Sequence, residues 1–529
     1  MSHNERDMHE ADDVDEADDE ELDMLAADDA LEEIEGSDAE GDDVAMDSGD
    51  DNDDNEELVL VNDSIAYFDL HKDSVFTIAQ HPKFPALVAT GGSEGDADNA
   101  PGKGYVVDTS AAADRPVLPA SYSSDPSSTQ PQSTELTPLF AIDGHTDSIN
   151  ALAFTLPNGD FLVSGGLDGR MRVYSVAIGG GQANFEFVGE SQEVPEINWL
   201  APCPGRDYPN TIALGASDGS VWVLSIDPSA DATNPIQIVQ SYFTHTAACT
   251  AGTWTPDGNL LATVSEDSSL QVWDVWGVAA GRGLVPGGAQ ALLSLTAEDQ
   301  RFEVPGGLYS VAVSPGGTLV AVGGAGGVIK VVTLPRLTGA QAAGTAANKN
   351  VKQKGPAPRG AASGSAEPAA FGTILASLEV QSDGVETLAF APPPVTLLAA
   401  GSVDGSIAVF DVTRSFALRR HIQHAHEEHS VVKVEWVKSA PASLTGSAAG
   451  VGGPAQWLLT SSGMDGVVRR WDLRRNLVPD KPGDNGLVKE WRGHRGDGEG
   501  GGVLGFVQGD TGERIVTAGD DGVVLVFEA

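Results

Sequence analysis

A closed, all-β propeller of eight blades is the fold class this sequence predicts, and three observations carry it. An apolar strand pattern, a small-residue run, a turn built on Asp-Gly or a remnant of it, and another apolar strand recur in that order eight times. Short apolar runs bounded by turn residues at such regular spacing read as antiparallel strands of a repeat architecture. The last unit stops at VLVFEA, one strand short of a full blade, while DSIAYFDL precedes the first unit. Residues 65–70 therefore supply the missing strand, and pairing it into the last blade removes a free sheet edge and locks the ring.

The clearest units begin at Gly144 (GHTDSINALAF), Thr244 (THTAACTAGTW) and Trp457 (WLLTSSGMDGVVRRWDL); weaker ones begin near His71, Glu193, Phe302, Ser382 and Gly493. Asp-Gly suits the turn between second and third strands, because Gly accepts positive φ and Asp bonds its own backbone. All eight units resemble the WD repeat. In that family a His, a Ser or Thr, the turn Asp and a Trp form a hydrogen-bonded rack inside each blade. The resemblance implies this rack for His245, Thr263, Asp267 and Trp273 in the fourth unit. It implies a partial one for His145, Ser164 and Asp168 in the second, where Tyr174 replaces Trp, and for Ser461, Asp465 and Trp471 in the seventh. The fifth unit lacks the turn Asp. These residues read as structural, since a buried polar rack satisfies itself and fixes the blade.

The repeats leave residues 1–60 as an acidic, disordered tail and assign 61–529 to the propeller. Net charge is −48 over 529 residues, and positions 1–57 hold 28 acids against the single base Arg6. The remainder, with 50 acids and 29 bases, is acidic too. Such a molecule repels nucleic-acid phosphates and anionic membranes and attracts basic polypeptides. Within the tail, Leu22, Leu25, Leu31 and Ile34 have partly helical spacing, which allows a short helix to form on a partner. Only Cys203 and Cys249 occur, and no apolar run approaches the ~20 residues that cross a bilayer. The expected setting is intracellular and soluble, in the cytoplasm with the nucleus as a second location, and the expected state is a monomer.

Three polar insertions interrupt the repeats. Residues 109–138 fall between the third and outer strands of the first blade; residues 337–370 carry Lys349, Lys352, Lys354 and Arg359; residues 439–454 are rich in Gly, Ala and Ser. The basic cluster at 349–359 reads first as solvated, with RNA or the acidic tail as its alternative partners.

A search for chemistry finds no enzyme. Gly91, Gly92, Ser93, Glu94 and Gly95 spell G-x-S-x-G, but that nucleophile motif needs a strand-to-helix turn, and here the repeat demands a strand-to-strand turn. The run HIQHAHEEH from His421 to His429 has metal-ligand residue types, yet it aligns with an outer strand and the loop after it, where exposed His and Glu are ordinary. No phosphate-binding G-x-x-x-x-G-K-[ST] loop appears. No metal and no cofactor are expected.

A propeller without chemistry is a binding platform, read here at the face formed by loops entering the first strand and leaving the second. Alignment places Asp73, Phe76, Asp147, Asn150, Glu196, Asn198, Tyr309, Asp383 and Glu386 at or before first strands, and Glu94, Glu266 and Asp520 in the turns after second strands. Acids recurring around this mouth, with Phe76 and Tyr309 among them, suit an extended Lys/Arg-rich segment. Each acid taken singly is explained equally well by turn chemistry.

The tail-then-propeller layout, with DSIAYFDLHKDSVFTIAQHPKFPALVATGGSEGDA and the following GHTDSINALAF, resembles the angio-associated migratory cell protein family and its fungal branch in ribosome assembly. The resemblance implies a dedicated, non-catalytic chaperone. It would capture the basic N-terminal segment of a large-subunit ribosomal protein of the L-ten family and deliver it to pre-60S particles. The competing expectations are a signalling scaffold, a ubiquitin-ligase substrate receptor and a histone-binding chaperone.

Overall fold

The structure, a computed structural model, describes residues 62–95, 100–114, 133–180, 182–285, 290–337, 371–439, 454–474, 485–495 and 501–529. The tail with Leu22, Leu25, Leu31 and Ile34, and the basic cluster at 349–359, lie outside the described residues.

Eight antiparallel sheets make an eight-bladed propeller. Blade 2 shows the pattern. Its strands Ile149–Phe154, Phe161–Gly166, Arg170–Gly179 and Gln182–Gln192 pair in sequence order from the channel outwards. The first strands of successive blades neighbour one another around the ring, so they line the channel.

Stability of this ring comes from between the blades. Eight apolar clusters fill the structure, each shared by two adjacent blades. Cys203, Ala213 and Val223 of blade 3, for example, pack with Trp254, Leu261 and Trp273 of blade 4. A single sheet has no partner for its two apolar faces, which is why one repeat cannot fold alone.

Blade 8 contains Val503–Val507, Arg514–Gly519 and Val524–Glu528, and its fourth strand is Ala66–Phe68 from the other end of the chain. Ala66 faces Val526 and Phe68 faces Val524 in antiparallel register. A fifth strand, Thr134–Glu135, lies parallel to Ala66–Phe68. The insertion at 109–138 is thus more than a loop. Its end straps the closing strand, with Thr134 N–H on Ile65 O at 3.0 Å and Leu136 N–H on Tyr67 O at 2.8 Å. Leu136 is buried against Ile65 and Phe68, so the strap both satisfies an edge and adds apolar cover.

The racks vary from blade to blade. In blade 2, Ser164 Oγ lies 2.8 Å from His145 Nε2 and Asp168 lies 3.1 Å from Nδ1, while Tyr174 turns its hydroxyl to Asp143 O. In blade 4, Trp273 Nε1 donates to Thr263 Oγ1 at 2.9 Å, and Thr263 meets His245 Nε2 at 2.8 Å. Asp267 is not the direct partner of His245. Ser269 Oγ takes that place at 2.6 Å, and Asp267 stands 3.8 Å away, accepting instead from the N–H groups of Thr246 and Ser269. A serine two residues after the turn Asp reaches the ring first.

Blade 7 corrects the reading of HIQHAHEEH. His426 is fully buried, with Nε2 2.8 Å from Ser461 Oγ and Nδ1 2.9 Å from Asp465, and Trp471 Nε1 donates to the same Ser461 hydroxyl. Burial opposes the charge on Asp465, but the hydrogen bond from His426 and the adjacent Arg469 overcome it and hold the carboxyl down at about 2. His494, Thr517 and Asp521 repeat the rack in blade 8. In blade 6 Gln381 replaces the His, and in blade 5 the turn is Ala325–Gly327 with positive φ at Gly326 and Gly327.

Candidate functional site: the channel mouth

The mouth is built from two positions that recur in register. At the start of the innermost strand, blades 2–8 carry a one-residue irregularity at Asn150, Asn198, Thr250, Tyr309, Glu386, Val432 and Leu504. A bulge re-aims the extra side chain out of the ladder. Phe76 holds the corresponding place in blade 1, just before the strand Thr77–Gln80.

The second position is the first residue of the turn between second and third strands. Its N–H donates to a carbonyl in the incoming loop: Leu167 to Ser148, Ser217 to Glu196, Glu266 to Ala248, Val403 to Gly384, Met464 to Ser430 and Asp520 to Gly502, all within 2.9–3.3 Å. In these six blades the incoming loop and the turn are thereby fastened together at one end of the propeller.

All twelve residues read as a partner site fall on this end. Asp73, Asp147, Glu196 and Asp383 sit in the incoming loops, the bulge row holds Asn150, Asn198, Tyr309 and Glu386 with Phe76 in blade 1, and the turns hold Glu94, Glu266 and Asp520. The structure divides them by what they already do. Asn150 Nδ2 donates to Asn198 O at 3.2 Å, and Asn198 Nδ2 donates to Cys249 O at 3.1 Å, so both amides tie adjacent innermost strands. Asp73 and Asp147 accept from the following Ser N–H, and Asp520 accepts from Ser74 Oγ at 2.6 Å. Glu94 is paired with Lys72 at 2.7 Å.

Glu196, Glu266, Asp383 and Glu386 are exposed and, among the described residues, have no cationic partner. Desolvation by the rim, and then the neighbouring charge of Asp383, raise the pKa of Glu386. An arriving cation relieves both effects, because it restores a favourable environment for the carboxylate.

Sequence reading missed the rest of these two rows, including Leu167, Val403, Val432, Met464 and Leu504. The signal was available. Leu167, Val403 and Met464 directly precede Asp168-Gly169, Asp404-Gly405 and Asp465-Gly466, in register with Glu266 before Asp267. Ser93 of the G-x-S-x-G match ends the strand Leu87–Ser93 and donates to Gly95 O at 2.6 Å, a strand-end turn with no His or acid partner on its hydroxyl among the described residues. No group of three His, Cys, Asp or Glu residues placed to hold a metal occurs among the described residues.

Comparison with known proteins agrees with this architecture and narrows it. The model of the WD domain, G-beta repeat, matches residues 136–175 and 236–274. The solved structure of Sqt1 from Chaetomium thermophilum, bound to the N-terminus of the ribosomal protein L10, is 60% identical, covers 89% of this chain and 100% of its own, and superposes with a TM-score of 0.73. The chain belongs to the Sqt1 family. Ribosome assembly protein SQT1 of Saccharomyces cerevisiae is 33% identical over 232 residues, which is 42% of this chain and 44% of that protein. An uncharacterized WD repeat-containing protein of Schizosaccharomyces pombe is 26% identical over 299 residues, 55% of each. The chain thus spans about half the length of these two curated relatives.

Proposed function

We propose that this chain is a non-catalytic chaperone whose acidic mouth captures the basic N-terminal segment of a large-subunit ribosomal protein of the L10 family and delivers it to pre-60S particles. The observation that carries the reading is the set of exposed carboxylates, Glu196, Glu266, Asp383 and Glu386, around one end of the channel, which have no cationic partner among the described residues. Its support is the Chaetomium thermophilum relative, whose crystal structure holds the N-terminus of the ribosomal protein L10.

Mechanism follows from electrostatics. Lys and Arg side chains of an extended client replace solvent cations around these carboxylates and make charge-assisted hydrogen bonds. Covered in this way, the segment is kept from aggregating and from binding RNA at the wrong time. Ribosomal RNA, with a far denser array of phosphates, competes for the same cations and frees the mouth. In this reading the chain works in the cytoplasm, with the nucleus as a second location.

The test is a solubility assay with full-length L10 protein at physiological salt. The proposal expects the parent chain to keep L10 in solution and expects Glu196→Lys, Glu266→Lys and Glu386→Lys combined to lose that effect. If the triple variant protects L10 as well as the parent does, the mouth is not the capture site.

A further inference from the structure

The two rows that make the mouth are chemically lopsided. In blades 2–4 the bulge row is polar, and Asn150, Asn198 and Thr250 spend their side chains on carbonyls of the next blade, Thr250 Oγ1 reaching Leu308 O at 2.7 Å. From blade 5 around to blade 1 the same two rows present Tyr309, Val403, Val432, Met464, Leu504 and Phe76. Glu386, Asp520 and the blade 1 turn residue Glu94 interrupt them, and blade 5 has only the small Ala325 at its turn.

Apart from the Tyr309 hydroxyl, which donates to Gly306 O at 2.5 Å, these side chains rest on the bare backbone of the rim and not in the blade cores. Val403, Val432, Met464 and Leu504 are half-buried and Phe76 is exposed, and none belongs to the clusters that fill the neighbouring blades. A solvated turn gains nothing from Val or Met at the position before Asp-Gly, where small polar residues suit the geometry better.

Two glycines leave room beneath them. A methyl group on Gly384 would stand 3.7 Å from Val403 Cγ2, 3.9 Å from Tyr309 Cδ2 and 3.6 Å from Glu386 Oε1, so three side chains of two blades converge over a bare backbone. Met464 lies over Gly502 in the same manner, its sulfur 2.6 Å from where a β-carbon would be. The arc is continuous with the acidic rim through Glu386 and Asp520.

We infer that the mouth reads two features of one extended segment: cationic side chains on the acidic rim, and a large apolar or aromatic side chain on the arc of Tyr309, Val403, Val432, Met464 and Leu504. The inference rests on the proposed capture of a basic segment and adds its second determinant. Charge alone fits any basic polypeptide, histone tails included. A required apolar anchor selects among them, and burying it strengthens binding without changing the number of charges neutralised.

The experiment uses the full chain and two labelled peptides of about twelve residues, a length that spans roughly 40 Å when extended. Both carry the same Arg residues in a Gly/Ser background, and they differ only in one central Phe or Ser. The Phe peptide should bind the parent about tenfold more tightly, the lower end of what burying such a ring provides. In Met464→Ser/Leu504→Ser that advantage should shrink to about twofold or less, with the Ser peptide and the salt dependence unchanged. Val403→Ser serves as a second variant should the double one melt early.

Equal affinity of the two peptides for the parent, or an advantage that persists in both variants, overturns the inference and leaves the acidic-mouth reading standing. Failure of both peptides to bind the parent overturns the acidic-mouth reading itself, and the inference with it.

Discussion

Asn150 and Asn198 occupy the same bulge in adjacent blades, and the side-chain amide of the first donates to the backbone carbonyl of the second at 3.2 Å. The bond runs from blade to blade around the innermost ring, since Asn198 repeats it onto Cys249 O. Two residues that read as client contacts are therefore spacers of the mouth.

Asn150→Ala and Asn198→Ala should each lower stability by about 1 kcal/mol, the usual net worth of such a bond. Binding of a basic peptide, measured below the melting transition, should stay within about twofold of the parent, because neither side chain carries charge. Urea denaturation and peptide titration of the same samples check both halves.

The rack of blade 7 predicts a larger effect. His426→Ala leaves the Ser461 hydroxyl short of a partner and the buried Asp465 carboxylate without its imidazole donor. Orphaning buried groups of this kind costs about 1–3 kcal/mol or more. A drop of that size in the denaturation free energy is expected, and an unchanged midpoint would contradict the assignment of His426 as structural.

Acid sensitivity should begin well above the carboxylate range. Burial pushes His71 down to about 4, with Glu94 offsetting only part of the effect, and its Nδ1 finds no hydrogen-bond partner. The unfolded chain takes up a proton there near pH 6.5 and the folded chain does not, so stability is full above pH 6.5 and declines as pH falls towards 4. The decline amounts to roughly 3 kcal/mol if complete. Burial also lowers the pKa of His426, and its contribution has the same sign. Denaturation midpoints between pH 7.5 and 5 should fall in the parent and fall less in His71→Gln.

Closure offers a further stability test. Phe68 is fully buried on the strand that completes blade 8, and Leu136 of the strap packs into the same cluster. Phe68→Ala should cost about 3–5 kcal/mol and Leu136→Ala about 2–5 kcal/mol. A Leu136 variant as stable as the parent would show that the strap merely covers the closing strand without supporting it.

What could be read from the chain alone, and what could not, has physical reasons. The ring was legible because every blade needs the same alternation and the same Asp-Gly turn, as in Asp168-Gly169 and Asp465-Gly466, to bury its faces against its neighbours. His426 was hidden because an insertion stretches its rack, placing 35 positions between His426 and Ser461 against 19 between His145 and Ser164. Ser269 displaced Asp267 through a contact of 2.6 Å that a motif does not encode. At the mouth, charge could be summed from sequence, so Glu196, Glu266 and Glu386 could be named from the chain alone, and the structure leaves them exposed. Val432 and Leu504 look like ordinary strand residues until the bulge turns them out of the ladder.

Calorimetric titration of an L10 N-terminal peptide asks whether the exposed carboxylates of the mouth hold a basic ribosomal-protein segment. Comparison of the parent with Glu196→Lys/Glu266→Lys/Glu386→Lys at two salt concentrations is decisive. The account predicts binding by the parent that weakens as salt rises, and a loss of about a hundredfold or more in the variant, as expected when several close charge contacts are reversed. Equal affinity of parent and correctly folded variant would contradict it.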